Sequence, residues 1–309
     1  MRTSPGTHRK RSVREAIVPV RTPYRLDLTA VVLRRLSTNV VDVFDGAVYR
    51  RALGDPGAPL LLSVEQPAPD VLAVRLEGPG ADAHDLAAMV RRSLGTDVDL
   101  CAFYAGAATI PWLHAIAAAA IGVKPPRYPS LWEAVCNAVV YQQVSIHAAA
   151  AILRRVIERY AFPVEASGVR LFPFPRPRTL LDADPVELRD LGLSINKINA
   201  LKAVGAAIEA GGLEETALHL LPTPQLLEAL IAHKGIGPWT AAVVALRGFG
   251  RLDVFPMNDS GVAKALRTMT GDPATQAEPV IDALRPQQGM LYYHLLIGRL
   301  NATGEIALG

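Results

Sequence analysis

The 309-residue chain has few cysteines, no long uncharged apolar run and no strong charge of one sign. Two cysteines, Cys101 and Cys136, can build neither a disulfide framework nor a four-thiolate cluster. A reducing compartment inside the cell, the cytoplasm, is the simplest expectation. No stretch reaches the length of about 18 uncharged apolar residues that a bilayer span requires. "GAATIPWLHAIAAAAIGV" comes nearest, but it is Ala-rich, carries Pro111 and His114, and reads as a buried helix. No apolar secretory core opens the chain. The net charge of +3 permits an anionic partner without demanding one.

Half of the residues are hydrophobic and the length suits two or three compact units. Arg2, Arg9, Lys10, Arg11 and Arg14 concentrate charge at the start, so residues 1–22 read as a disordered basic tail; a transit peptide is the other reading. From about Tyr24 to Cys101 the chain reads as mixed α/β. "NVVDVFDGAVYRRAL", "PLLLSVE" and "VLAVRLEG" are short alternating or β-branched runs parted by Gly, Pro and Asp. "DAHDLAAMVRRSLG" puts Leu86, Met89, Val90 and Leu94 on one helical face, with Gly95 as the stop. An antiparallel sheet backed by helices is the economical picture.

From about Pro111 onward the pattern is helical. Ser130 and Glu133 form a capping box before "LWEAVCNAVVYQQ", and "SIHAAAAILRRVIERY" follows. Asp184, Pro185 and Glu187 mark another start, as do Thr223 and Pro224 before "QLLEALIAHK", while "FPFPRPR" is a connector.

"HKGIGPWTAAVVALRGFG", residues 233–250, carries the chemistry. Gly235 suits a positive φ after a helix, Gly237 leaves the backbone bare, and Pro238 fits the first turn of the next helix. The unit is helix, tight hairpin, helix, and its backbone N–H groups make an anion seat. Downstream, "LDVFPMNDSGVAKALR" opens another helix after Asn258, Asp259 and Ser260, with Asp259 lying 22 positions beyond Gly237. Alone, Asp259 is an ordinary helix cap, and a bare Gly-x-Gly is an ordinary turn between helices.

Together the hairpin and the spaced aspartate resemble the helix-hairpin-helix DNA glycosylase superfamily. "LWEAVCNAVVYQQVSIHAAAAI", "LRDLGLSINKINALKAVGAAI" and the N-terminal α/β segment are similar to its DNA-3-methyladenine glycosylase II branch. The resemblance implies an α+β chain: a helix-hairpin-helix core behind an N-terminal antiparallel sheet-plus-helix domain. After the tail, residues 23–102 would form the α/β domain. Residues 103–130 plus 251–309 would form one helical subdomain carrying Asp259, and 131–250 the other, with Asp259 and Trp239 facing each other across a cleft.

The implied activity is excision of damaged, alkylated bases from duplex DNA by base flipping and N-glycosidic hydrolysis. Asp259 would be catalytic, Trp239 and Tyr141 would line the base pocket, and Lys234, Gly235, Ile236, Gly237, Thr240, Gln142 and Gln143 would meet the DNA. Gln143 falls at the family's plug position, though Gln142 and Gln143 also suit a capped turn, and Trp239 also suits a core. Bifunctional relatives carry a lysine two residues after the second hairpin glycine; Trp239 stands there and cannot form a Schiff base. Lys234, Arg247 and Lys264 are candidates for phosphate. A cofactor-free monomer is expected, with a possible monovalent cation at the hairpin carbonyls. The family's C-terminal Pro-Trp-Arg element is replaced by Gln287, Gln288 and Gly289, and a further aromatic near Val32 is missing; Tyr292, Tyr293 and His294 are candidates to compensate. The altered pocket keeps uracil, hypoxanthine or an oxidised purine open as substrates, and a non-catalytic DNA-binding protein is the remaining alternative.

Overall fold

The computed structural model describes residues 11–55, 58–257, 259–271 and 276–308. Five antiparallel strands, β1 (Arg11–Pro19), β2 (Asp42–Phe44), β3 (Val48–Asp55), β4 (Ala58–Ala68) and β5 (Val71–Pro79), form one sheet in the order β1-β5-β4-β3-β2. Alternation sets its faces: Leu60, Leu62 and Val64 of β4 and Leu72, Val74 and Leu76 of β5 are all buried. A second, two-stranded hairpin, β6 (Val164–Ala166) and β7 (Val169–Leu171), interrupts the region that reads as wholly helical. Its turn rests on Ser167 and Gly168, both at positive φ.

Strand β1 corrects the basic tail. Residues 11–19 pair with β5 from Arg11–Pro79 to Pro19–Val71, and only the part of the tail before residue 11 lies outside the described residues. Most β1 side chains face solvent, so the backbone ladder rather than an apolar stripe holds the strand.

Fifteen helices among the described residues complete the molecule. They are α1 (Leu26–Arg34), α2 (Leu86–Leu94), α3 (Cys101–Ala107), α4 (Pro111–Ala119), α5 (Leu131–Tyr141) and α6 (Ile146–Tyr160). Then come α7 (Pro177–Asp182), α8 (Pro185–Asp190), α9 (Ile195–Glu209), α10 (Glu215–Leu220), α11 (Thr223–Ile231) and α12 (Pro238–Arg247). The last three are α13 (Ser260–Thr270), α14 (Glu278–Ala283) and α15 (Gly289–Ala302).

Start signals act locally. Asp85, Ser130, Ser145 and Asp184 each accept a backbone N–H from the first turn that follows. Gly95 ends α2 in the left-handed region. Helix α11 differs by one residue: Pro222 is its cap and Thr223 is already helical. The capping box before α5 is half made. Ser130 Oγ accepts from Glu133 N, but the Glu133 carboxylate turns to the buried Arg51, which also bonds Asp42 at 2.6 Å. Tyr49 Oη donates to the same Asp42 at 2.7 Å, so one ionic cluster ties the sheet to α5.

Two large apolar cores and two small clusters result among the described residues. The sheet, α2, α5, α9, α11 and α12 share the first. Helices α3, α4, α13, α14 and α15 share the second. Helix α1 serves both: Leu26, Ala30 and Leu33 enter the first core, Leu28 and Val32 the second. All its residues but Asp27 and Arg34 are buried, so it is apolar on most of its circumference.

Candidate active site

Helix α11 buries Leu226 and Leu230 and then hands the chain to a reversal between Ala232 and Gly237. Gly235 sits there at φ +91, and a Cβ on it would lie 2.2 Å from Ala200 Cβ of α9. Both conformation and close approach therefore require glycine. At Gly237 the backbone is extended and nothing lies within 4 Å of where a Cβ would be. No packing demands a glycine at that point; what its bareness leaves is open backbone. Pro238 begins α12, no side chain caps that helix, and the N–H taken by the Gly237 carbonyl is Ala241's, at 2.9 Å. Earlier N–H groups of the turn are the ones an anion can use.

The next residue, Trp239, is half-buried against the first core and donates from Nε1 to Asp259 Oδ2 at 2.9 Å. Asp259 caps α13, its Oδ1 accepting from Val262 N at 2.9 Å. The expectation that these residues face each other across a cleft is corrected: they are directly bonded, and the acid is anchored through both oxygens. Helix α15 reaches the same spot, since a Cβ on Gly261 would stand 3.0 Å from Asp259 Oδ1 and 3.6 Å from Arg299 Nη1. Asp259 is thus a half-buried carboxylate, held by a helix N-terminus and an indole and not sealed off.

The remaining candidates divide. Lys234 and Gln143 are exposed, and Gln143 has φ +55, which turns a non-glycine residue outward at the end of α5. Gln142 is a clamp: its Nε2 donates to Thr240 Oγ1 at 2.7 Å and to the Gly235 carbonyl at 3.4 Å. The side chains of Thr240, whose hydroxyl accepts from Gln142, and of Ile236 are both buried, so what these residues present to a ligand is backbone. Arg247 is removed as a phosphate contact. It is fully buried, stacks 4.8 Å from the Tyr128 ring and donates to the Val32 and Leu33 carbonyls. Lys264 is exposed. The carbonyls of His233, Gly235 and Gly237, where a monovalent cation would sit, already accept from Ile236 N, Gln142 and Ala241 N. Each keeps one further lone pair.

The C-terminal substitutes are structural. Gln287 ties Phe103 N and the Asp99 carbonyl, Gln288 bonds the Asp253 carbonyl, and Gly289 packs where a Cβ would strike Leu246 and Val254. Tyr293 and His294 are wholly buried, so they cannot line an open pocket. His294 lies 4.4 Å from the Phe103 ring, with Nδ1 against the Met290 carbonyl; burial pulls its pKa down to about 4. Tyr292, half-buried, is the exception.

Arg35 has no local signal in the sequence. It follows α1 at φ 66 and ψ −71, with Leu36 N–H donating to the Arg34 carbonyl at 3.0 Å, a strained tight turn. Its guanidinium is 4.1 Å from the Tyr141 ring centroid and donates to Tyr292 Oη at 3.3 Å. A cavity of about 500 Å³ lies between Arg51, Trp132 and Glu214 and does not border Trp239 or Asp259. The chemistry, not the concavity, marks the site.

Residues 136–285 match the model of the HhH-GPD superfamily base excision DNA repair proteins. Over 278 residues the chain is 32% identical to the probable bifunctional transcriptional activator/DNA repair enzyme AlkA of Mycobacterium tuberculosis, covering 87% of this chain and 53% of that protein. It is 33% identical over 166 residues to DNA-3-methyladenine glycosylase 2 of Escherichia coli, covering 51% of this chain and 55% of that one. The chain thus spans about half the length of these curated relatives. The solved 3-methyladenine DNA-glycosylase from Archaeoglobus fulgidus superposes with a TM-score of 0.75 at 22% identity, over 92% of this chain and 98% of that one, a likeness of fold.

Proposed function

We infer that this chain, built on the helix-hairpin-helix glycosylase core, is a monofunctional DNA N-glycosylase that removes damaged bases from duplex DNA. The bond from Nε1 of Trp239, two residues past Gly237, to Asp259 carries the reading. It joins the hairpin that would grip the sugar-phosphate strand to the acid that would serve the sugar.

Cleavage of the N-glycosidic bond builds positive charge on the sugar before water adds. A carboxylate at about 4 Å, with an effective dielectric near 20, supplies roughly 4 kcal/mol against that charge, about three powers of ten in rate. Asp259 takes this role and orients the attacking water. Open N–H groups at Gly235 and Gly237 bind phosphate, Lys234 adds charge, and Gln143 fills the gap left by the extruded base. Extrusion costs a few kcal/mol, least where damage has weakened the pair. Trp239 and Tyr141 wall the base. The relatives' printed names make alkylated bases the first class to try.

Two measurements test this. Duplexes carrying methylated, deaminated or oxidised bases, incubated with the protein, should accumulate abasic sites on at least one lesion; failure on all of them refutes the activity. Borohydride trapping should give no covalent protein–DNA adduct, because no amine stands at position 239; an adduct would contradict the monofunctional assignment.

A further inference from the structure

Arg35 is 5% exposed, and among the described residues no carboxylate pairs with it. A buried guanidinium without an acid is costly, and here it is delivered by a strained backbone turn rather than by a relaxed helix end. It caps one face of Tyr141, the last residue of α5. Tyr141 precedes Gln142, whose amide binds Thr240, the residue after Trp239, so α5 ends against the hairpin that carries the Trp239–Asp259 pair. From the other side, Tyr292 of α15 accepts from Arg35, and two turns further along that helix Arg299 comes up to Gly261, beside the Asp259 cap. Arg35, Tyr141 and Tyr292 thus form one cluster, joined to the hairpin through the end of α5.

We propose that Arg35 sets lesion specificity, selecting uncharged bases that present a carbonyl and disfavouring cationic alkylated purines. The proposal rests on the glycosylase reading and narrows its substrate class. Two effects act together. The electron-rich face of Tyr141 that would attract a cationic base is opposed by a cation on its other face. A base offset-stacked on the free face, about 4.5 Å from the ring, lies within roughly 9 Å of the guanidinium, where like-charge repulsion at an effective dielectric near 20 amounts to tenfold or more in affinity. Meanwhile Tyr292, accepting from Arg35, keeps its own hydrogen for an acceptor on the base. A carbonyl-bearing neutral base satisfies that donor.

The test compares hypoxanthine, neutral, with 7-methylguanine, cationic, in otherwise identical duplexes. A second arm measures quenching of tryptophan fluorescence by inosine and by 1-methyladenosine in an Asp259→Asn background. The native chain should favour the neutral partner in both arms. Arg35→Gln should shrink that preference at least tenfold, about 1.4 kcal/mol, while Arg35→Lys keeps most of it. Equal loss on both lesions, or an unchanged preference in a folded Arg35→Gln protein, overturns the proposal. Should Arg35→Gln fail to fold, Tyr292→Phe serves: it should weaken the neutral partner selectively, and no selective loss refutes the assignment. If nothing is excised yet nucleoside preference still moves with Arg35, the glycosylase reading falls and the specificity assignment stands. Excision without that movement sinks only the specificity assignment, and no excision with no nucleoside binding removes both.

Discussion

Replacing Asp259 with asparagine separates two roles that the residue holds at once. As a helix cap, asparagine is about as good as aspartate. As an acceptor it is poorer: Oδ1 and Oδ2 now receive Val262 N and Trp239 Nε1, and an amide has a single oxygen, so one of those bonds is lost. Losing that bond costs about 0.5–1.5 kcal/mol, and losing a charge at a helix N-terminus about 0.3–1 more. For a chain of this length that is a fall of only about 1–4 °C in Tm. The rate changes on another scale. If the carboxylate supplies roughly 4 kcal/mol to the sugar cation, excision falls about a thousandfold.

The assay is single-turnover excision with protein in excess, well below Tm, scored as alkali-labile strand breaks, with thermal unfolding and DNA binding recorded on the same samples. Asp259→Ala is the companion variant. It also forfeits the cap, about 1 kcal/mol beyond the asparagine variant, and should share its rate. Binding to undamaged duplex should persist in both. Excision by a folded Asp259→Asn protein within tenfold of the native rate would refute the electrostatic role. A rate loss that tracks Tm across the two variants would reduce Asp259 to a cap.

Gly235→Ala should destabilise the hairpin by about 2 kcal/mol or more, from left-handed strain and the collision with Ala200; a Tm change below about 1 °C would show that the turn relaxes freely. Arg51→Leu leaves Asp42 and Glu133 buried without their cation, which should cost about 3–5 kcal/mol in urea unfolding, and a neutral outcome would mean that water reaches the cluster. His294 sets a pH dependence. Burial holds its pKa near 4 when folded, against about 6.5 unfolded, so the unfolded chain takes up the proton first. Stability is full above about pH 6.5 and falls through the window down to about 4, by roughly 3 kcal/mol in total. In His294→Leu that part of the acid limb should flatten, and superimposable Tm-versus-pH slopes would contradict the buried neutral ring.

What was legible in the sequence is what the chain settles within a few residues. Gly235, Gly237 and Pro238 punctuate the hairpin, and Asp85, Ser145 and Asp184 announce helix starts, because cap and turn chemistry is local. What was not legible depends on distant partners. "RSVREAIVP" reads as a solvated basic tail because an edge strand held by its ladder needs no apolar stripe. Glu133 suits a capping box, yet its carboxylate is taken by Arg51, 82 residues away in sequence. Arg247 reads as a surface cation at the end of α12, but α1 returns over it and supplies its carbonyl acceptors.

The same distinction explains why the site divides into a visible and an invisible half. Hairpin and acid are each defined by the backbone that carries them, so spacing along the chain registers both. The cluster to which we assign selectivity is defined by contact alone: Arg35 from the end of α1, Tyr141 from the end of α5 and Tyr292 from α15 are ordinary residues in ordinary neighbourhoods until folding stacks them. A reaction can therefore be read from local pattern while its selectivity cannot. In the proposed reaction Asp259 would serve the sugar, which every lesion shares, and Arg35 and Tyr292 would meet the base, where lesions differ. Substitutions in the first group should scale all substrates together, and substitutions in the second should reorder them.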